Sequence, residues 1–147
     1  MLTQGSHLTF TAYALTSIVL CIDLLLIWIS SGGARVRSGV AVNEEDGARY
    51  GVPVSPSEPP AVARFLRAHR NAEATIYPFL AIGVVYVLAN GSAWIAIPIF
   101  AVFVIARIAH SLVYLAGLQP WRTVSFAVSL LAVVALIVAT VGALFSA

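Results

Sequence analysis

Four long apolar segments alternate with polar breaks along the 147 residues of this chain. They cover 8–31, 63–90, 93–118 and 121–146, and each is long enough to cross a bilayer as an α-helix of about 20 residues. The breaks after the second and third segments are short, which predicts that consecutive helices run antiparallel as neighbours. The pattern predicts an all-α integral membrane protein, whose single domain over 1–147 is a four-transmembrane-helix bundle.

A polar segment over 32–62 separates the first apolar segment from the second. It holds four of the six acidic residues and four of the seven prolines, which predicts an ordered or semi-ordered loop. Four arginines lie on this loop or at its edge, whereas the N-terminal tail and the break at 90–92 carry none. Because arginine concentrates on the cytoplasmic side of membrane proteins, we expect a cytoplasmic loop and both termini on the opposite side.

Composition excludes a soluble domain. Charged residues make up 10% of the chain and hydrophobic residues 61%, whereas soluble proteins carry about 25% charged residues. All eight basic residues are arginines scattered singly among apolar runs, so we expect no nucleic-acid partner, which would require an exposed basic stripe. The single cysteine, Cys21, has no partner for an intrachain disulfide, and no metal site is predicted.

Two helix faces carry polar residues at matching depth. On the second and third segments these residues recur at helical spacing, so each set shares one face. The two sets are Arg67, Arg70, Asn71 and Ala74, and Arg107, His110, Ser111 and Tyr114. Arg122 joins them from the first turn of the last segment. Ionisable residues inside membranes usually face a cavity or each other, so several arginines with few acids predict a pocket for an anion such as a carboxylate, phosphate or thiolate.

Structural interpretations of the same residues stay open. Arg64 and Arg67 can extend their guanidinium groups to the membrane interface. Arg107 and His110 can belong to an interhelical network with backbone carbonyls or with Asp23, the acid deep in the first segment. For Asp23 itself, pairing with an arginine and proton relay are both available roles.

Several motifs occur in an order typical of one membrane family. They are Arg67-Ala68-His69-Arg70-Asn71, Thr75-Ile76-Tyr77-Pro78-Phe79-Leu80, Arg107-Ile108-Ala109-His110 with Tyr114, and Pro120-Trp121-Arg122-Thr123. With these motifs, and with Asn43-Glu44-Glu45-Asp46 on the loop, the chain resembles the MAPEG superfamily, the membrane-associated proteins in eicosanoid and glutathione metabolism. Within it the likeness is to the microsomal prostaglandin E synthase branch, and it covers about 35–126.

The resemblance implies a homotrimer of four-helix protomers that binds glutathione as a cosubstrate between adjacent subunits, near the cytoplasmic side. The glutathione-binding residues it implies are Arg35 (from the neighbouring subunit), Leu66, Arg70, Asn71, Glu73, Arg107, His110, Tyr114 and Phe126. The catalytic residues it implies are Arg122, Asp46 and Thr123. Arg122 would stabilise the glutathione thiolate, Asp46 would orient Arg122 by a charge-assisted hydrogen bond, and Thr123 stands where the family has a serine.

Two positions depart from the family pattern. Ala74 stands where the family has a glutamate, and the acid is instead Glu73, which points away from Asn71 but remains three residues from Arg70 and can pair with it. Phe126 replaces a tyrosine one turn after Arg122, so a hydroxyl is missing there.

Three functions compete at this point. The first is a glutathione transferase, isomerase or peroxidase that acts on a lipophilic electrophile or lipid hydroperoxide entering from the membrane lipids. The second is a non-catalytic lipid-binding scaffold of the same superfamily, against which the retained Arg122, Arg70 and Tyr114 argue. The third is a small four-span transporter in which Asp23 couples protons, and the excess of arginine disfavours a cation carrier.

Overall fold

The computed structural model describes residues 4–146 of the chain. Its helices are α1 (Gln4–Ser38), α2 (Glu44–Tyr50), α3 (Pro60–Leu88), α4 (Ala93–Ala116) and α5 (Trp121–Phe145). Within that stretch, α1, α3, α4 and α5 are long and apolar enough to cross a membrane. The predicted all-α chain with four membrane-spanning helices is confirmed.

Helix α1 continues for seven residues beyond the end that the apolar pattern predicts, as far as Ser38. Arg35 and Arg37 therefore lie in its last turn and not on the loop, where sequence reasoning placed them. Basic side chains in a last turn interact favourably with the helix dipole. The helix stops where Gly39 adopts a left-handed conformation (φ 65°), which a residue without Cβ accepts at little cost.

The loop between α1 and α3 is ordered around α2. The Asn43 side chain caps α2 by accepting a hydrogen bond from the backbone N–H of Asp46 at 2.8 Å. A parallel β-bridge then joins Ala41 to Val54, with hydrogen bonds of 2.9 Å from the Ala41 N–H to the Pro53 carbonyl and 2.8 Å from the Ser55 N–H to the Ala41 carbonyl. These contacts hold Asp46 on a defined scaffold.

The core of the bundle lies where α1, α3, α4 and α5 meet. The Phe79 ring stacks on Phe103 at a centroid distance of 3.7 Å and meets Phe100 edge-on at 5.6 Å. Leu20 of α1 and Leu136 of α5 are fully buried in the same cluster. This packing fixes α3 and α4 relative to each other, and those helices carry most of the predicted site residues.

The outer surface of the bundle is apolar. Large hydrophobic side chains on every long helix are exposed, among them Ile29, Ile105, Leu131 and Val138. A continuous apolar surface of this extent suits the hydrocarbon core of a bilayer and not water. Lipid tails pack against this surface and form no hydrogen bonds. Polar groups within the bundle must therefore find their hydrogen-bond partners inside the bundle.

Gly47 of α2 tests whether the loop is held as described. A Cβ at this position would come 2.6 Å from Val54 Cγ2 and 3.3 Å from the Val52 carbonyl oxygen. We expect Gly47→Ala to lower the free energy of unfolding of the loop by about 1 to 3 kcal/mol, because the β-bridge segment must move away. Hydrogen exchange of the Ala41 and Ser55 amides in detergent would then accelerate.

The matched control is Gly142→Ala on α5, where a Cβ meets nothing within 4 Å. It should leave the exchange of both amides unchanged. Equal exchange in wild type and Gly47→Ala would contradict the packing of α2 against the bridge.

Candidate functional site

The polar residues gather at one end of the bundle, where α4 ends and α5 begins. Arg107 lies deepest and its side chain is fully buried. Its Nη1 and Nη2 atoms both donate to Asn71 Oδ1 on α3, each at 3.3 Å. Asp23 of α1 accepts a 2.9 Å hydrogen bond from the Ser111 hydroxyl and interacts electrostatically with Arg107. Arg107 therefore belongs to an interhelical network that joins α1, α3 and α4. Its hydrogen bonds go to Asn71, however, and the ion pairs within residues 4–146 do not include Arg107 and Asp23.

His110 lies one helical turn beyond Arg107 and is also buried. Its Nδ1 atom is 3.0 Å from the Arg122 carbonyl oxygen and 3.2 Å from Ser125 Oγ. Because a carbonyl oxygen only accepts, Nδ1 donates the proton. Nε2 is buried and has no hydrogen-bond partner among the residues described. The ring is thus fixed by α5, and Nε2 is left as a buried polar atom without a partner in this protomer.

Arg122 stands in the first turn of α5, partly exposed. Its guanidinium carbon is 4.9 Å from the centroid of the Tyr114 ring, which is close enough for a cation–π interaction. Over the described range 4–146, the ion pairs are Arg35–Glu58 and His69–Glu73, so no carboxylate neutralises Arg122. The charge is held at a defined place and is not neutralised.

Tyr114 and Phe126 flank the His110 ring, with centroid distances of 5.6 Å and 5.9 Å. The structure therefore brings Arg107, His110, Tyr114, Arg122 and Phe126 together. Asn71 belongs to the same group through Arg107.

Leu66, Arg70 and Thr123 lie nearer the surface. Leu66 is half-buried, whereas Arg70 and Thr123 are exposed. The structure gives the Arg70 side chain no ion-pair or hydrogen-bond partner within residues 4–146. An unpaired, exposed cation on the same helix as Asn71 suits the binding of an anionic group.

Glu73 does not form the pair with Arg70 that the helical spacing allows. Its carboxylate lies 3.5 Å from His69 Nδ1 and accepts a 3.0 Å hydrogen bond from the Tyr77 hydroxyl. Both partners are four residues away on α3, where side chains stack along one face. Glu73 is therefore engaged along its own helix.

Arg35 and Asp46 form a separate group within the chain. Both line a groove of about 370 Å³ between the end of α1 and the loop, together with Tyr50. Arg35 donates to Glu58 Oε1, and Asp46 accepts from Asn43 Nδ2 at 3.0 Å. In the part of the chain that the structure describes, neither side chain is hydrogen-bonded or ion-paired to Arg122. The predicted orientation of Arg122 by Asp46 is therefore not formed within one protomer.

Ser125 was missed by sequence reasoning. Its hydroxyl donates to the Trp121 carbonyl at 2.8 Å and lies 3.2 Å from His110 Nδ1. Its position three residues after Arg122, on the same face of α5, is the signal that could have identified it.

The charged groups of the site suit an anionic ligand. Partly exposed arginines offer cations, and the buried Nε2 of His110 offers a polar atom without a partner. In residues 4–146, no group of three or more His, Cys, Asp or Glu side chains could hold a metal ion.

The pairing of Asn71 with Arg107 predicts a specific loss of stability. Asn71→Ala leaves the buried guanidinium without its acceptor, so we expect the free energy of unfolding to fall by about 2 kcal/mol. Asn71→Asp is the matched control, because its carboxylate still accepts from Arg107. Thermal unfolding in detergent measures both variants. An Asn71→Ala variant as stable as wild type would contradict this role.

Comparison with known proteins identifies the family of the chain. The family model that matches the chain is the MAPEG family, over residues 13–142. Human prostaglandin E synthase is 40% identical over 116 residues, covering 78% of this chain and 76% of that protein. The mouse prostaglandin E synthase is 35% identical over 119 residues, covering 81% and 78%. Human microsomal glutathione S-transferase 1 is 34% identical over 122 residues, covering 80% and 79%. The chain belongs to the MAPEG family.

Proposed function

We propose that this integral membrane protein activates glutathione as a thiolate and directs it against a lipophilic electrophile. The reaction is a glutathione transfer or isomerisation, with peroxidase activity toward lipid hydroperoxides as a further outcome of the same chemistry. The observation that carries the proposal is the Arg122 guanidinium, which lies over Tyr114 at the end of the bundle with no carboxylate pair among residues 4–146. Relatives named for prostaglandin E synthesis and for glutathione transfer support it.

Arg122 supplies the chemistry that a thiol nucleophile requires. A cysteine thiol has a pKa of about 8.5, so most of it is protonated at neutral pH. The guanidinium group stays positively charged at any physiological pH, and a nearby positive charge favours the thiolate. The thiolate then attacks the electrophilic atom of the substrate, so that a bond to sulfur forms and the leaving group takes the displaced electron pair. In an isomerisation the leaving atom stays within the same molecule, and the bond to sulfur breaks again to release glutathione unchanged.

The remaining site residues bind the tripeptide. The exposed Arg70 and the half-buried Tyr114 contact it directly in this proposal, with Leu66 and Phe126 as apolar neighbours. His110 offers Nε2, since α5 already holds Nδ1. The buried Arg107 positions Asn71 by donating two hydrogen bonds to its side-chain oxygen.

A homotrimer completes the site in this proposal. Arg35 and Asp46 line their own groove within the chain and are not bonded to Arg122 there. Placing this groove against the Arg122 end of a neighbouring copy brings an additional arginine and carboxylate to the glutathione. The proposed site faces the cytoplasm, since the arginines at the end of α1, on the loop and at the start of α3 mark that side.

The electrophile reaches the site from the membrane. A groove of about 370 Å³ between α4 and α5 is lined almost entirely by apolar side chains, among them Val113, Trp121 and Val128. Ser125 lies in its wall and also contacts His110. The groove therefore joins the lipid-facing surface to the polar site, as a lipophilic substrate requires.

A non-catalytic lipid-binding scaffold is the second candidate. The observation that favours it is Glu73, which is engaged with His69 and Tyr77 and leaves one predicted glutathione contact unfilled. The transporter has less support, because Asp23 is held by Ser111 beside Arg107.

The central test measures glutathione-dependent turnover of an aromatic chloride and of a lipid hydroperoxide in detergent. It compares the wild type with Arg122→Ala. We expect the rate at saturating glutathione to fall by about a hundredfold, because the charge that stabilises the thiolate is lost. Glutathione binding, measured by calorimetry, should persist. Arg37→Ala, which removes an exposed arginine from the last turn of α1, is the matched control and should keep the wild-type rate.

Two results would contradict the proposal. If wild type turns over a substrate and Arg122→Ala keeps its rate, Arg122 does not generate the thiolate. If wild type neither reacts nor binds glutathione, the scaffold replaces the enzyme.

A further inference from the structure

Gln119 lies in the short connection between α4 and α5, three residues before Arg122. With its side-chain oxygen turned toward the guanidinium group, that oxygen accepts from Arg122 Nη2 at 2.7 Å and from Nε at 3.1 Å. In the same orientation the amide nitrogen donates to Thr123 Oγ1 at 3.2 Å. The opposite orientation would set the NH₂ group against guanidinium donors, which offer no acceptor. The surrounding atoms therefore determine how the amide is turned.

Arg122 is consequently held from two sides. The Tyr114 ring supports the face of the guanidinium group at 4.9 Å, and the Gln119 oxygen binds two of its nitrogens along one edge. The third nitrogen, Nη1, has no partner among the residues described. A free arginine side chain loses about 2 kcal/mol of rotamer entropy when it is ordered, so a group fixed in advance spares that loss during the reaction.

The acceptor at this position is neutral, and this has a chemical consequence. A carboxylate in the same place would also orient Arg122 but would offset part of its positive charge. An amide oxygen fixes the guanidinium group and leaves the full charge directed at the ligand. This matters because Asp46 is not bonded to Arg122 within the protomer.

We propose that Gln119 is a positioning residue for Arg122, which orients the guanidinium group toward the glutathione sulfur while preserving its charge. The inference rests on the proposed function, since it assigns Gln119 a role in that reaction. Gln119 acts only through Arg122 and touches no reacting atom.

A double-mutant cycle tests the proposal. Gln119→Met has a similar shape but no acceptor, and we expect it to lower kcat about tenfold while the KM for glutathione changes less than twofold. Combined with Arg122→Ala, the same change should have no further effect on the residual rate, because the group it positions is gone.

Gln119→Glu separates orientation from charge. It keeps an acceptor, so kcat at high pH should exceed that of Gln119→Met. Its carboxylate partly neutralises Arg122, which raises the pKa of the bound thiol and shifts the pH–rate curve upward by about one pH unit. If Gln119 only fills space, both variants should have equal rates and pH–rate curves that match that of wild type. Thermal unfolding in detergent verifies that each variant is folded.

These experiments distinguish a failure of this inference from a failure of the proposed function. If Gln119→Met reduces the rate by the same factor with and without Arg122, Gln119 does not act through Arg122 and the inference is wrong. If Gln119→Met also lowers the stability of the protein, the comparison with Gln119→Glu decides. Equal activity of the Glu and Met variants then overturns the inference. If Arg122→Ala keeps the wild-type rate, the proposed function fails, and the inference fails with it.

Discussion

The structure depends on a buried positive charge that has to be solvated by protein. The Arg107 guanidinium lies in a bundle whose outer surface is apolar, so water cannot hydrate it and the partners must come from the helices. Asn71 supplies the acceptor, and Asp23 supplies the compensating charge. Breaking one of these contacts leaves a charge unpaired in a medium of low dielectric constant, which costs more than the intact network contributes.

The need for protein partners separates the two arginines of the site by how deeply they are buried. The buried arginine is bonded to Asn71, whereas Arg122 lies over Tyr114, two turns along α4 from Arg107, and has no carboxylate partner among residues 4–146. His110 joins the two levels, because it lies next to Arg107 on α4 and binds the Arg122 carbonyl and Ser125 on α5. The network around Arg107 and His110 thus fixes where the Arg122 charge lies at this end of the bundle.

Sequence alone predicted much of this arrangement. Hydrophobic length determines a membrane span almost by itself, and helical spacing places Arg107, His110 and Tyr114 on one face whatever the tertiary packing. Other features depend on contacts between distant residues. The apolar pattern ended the first helix at residue 31, yet the backbone of α1 continues until Gly39 adopts its left-handed conformation.

Local alternatives account for the other differences. Glu73 had more than one partner within reach on α3, and spacing does not select among them. The amide of Gln119 and the hydroxyl of Ser125 acquire their roles only after α4 and α5 have packed. The assembly of the site across subunits stays a prediction, as do the individual roles of its residues.

The most direct measurement is the pH titration of enzyme-bound glutathione, followed by the ultraviolet absorbance of its thiolate in wild type and in Arg122→Ala. A thiolate stabilised by Arg122 predicts that the thiol bound to wild type titrates well below its solution pKa of about 8.5, and that Arg122→Ala restores a value near solution. Titration at the solution pKa in both proteins would contradict the view that this membrane bundle holds Arg122 in order to activate a thiol.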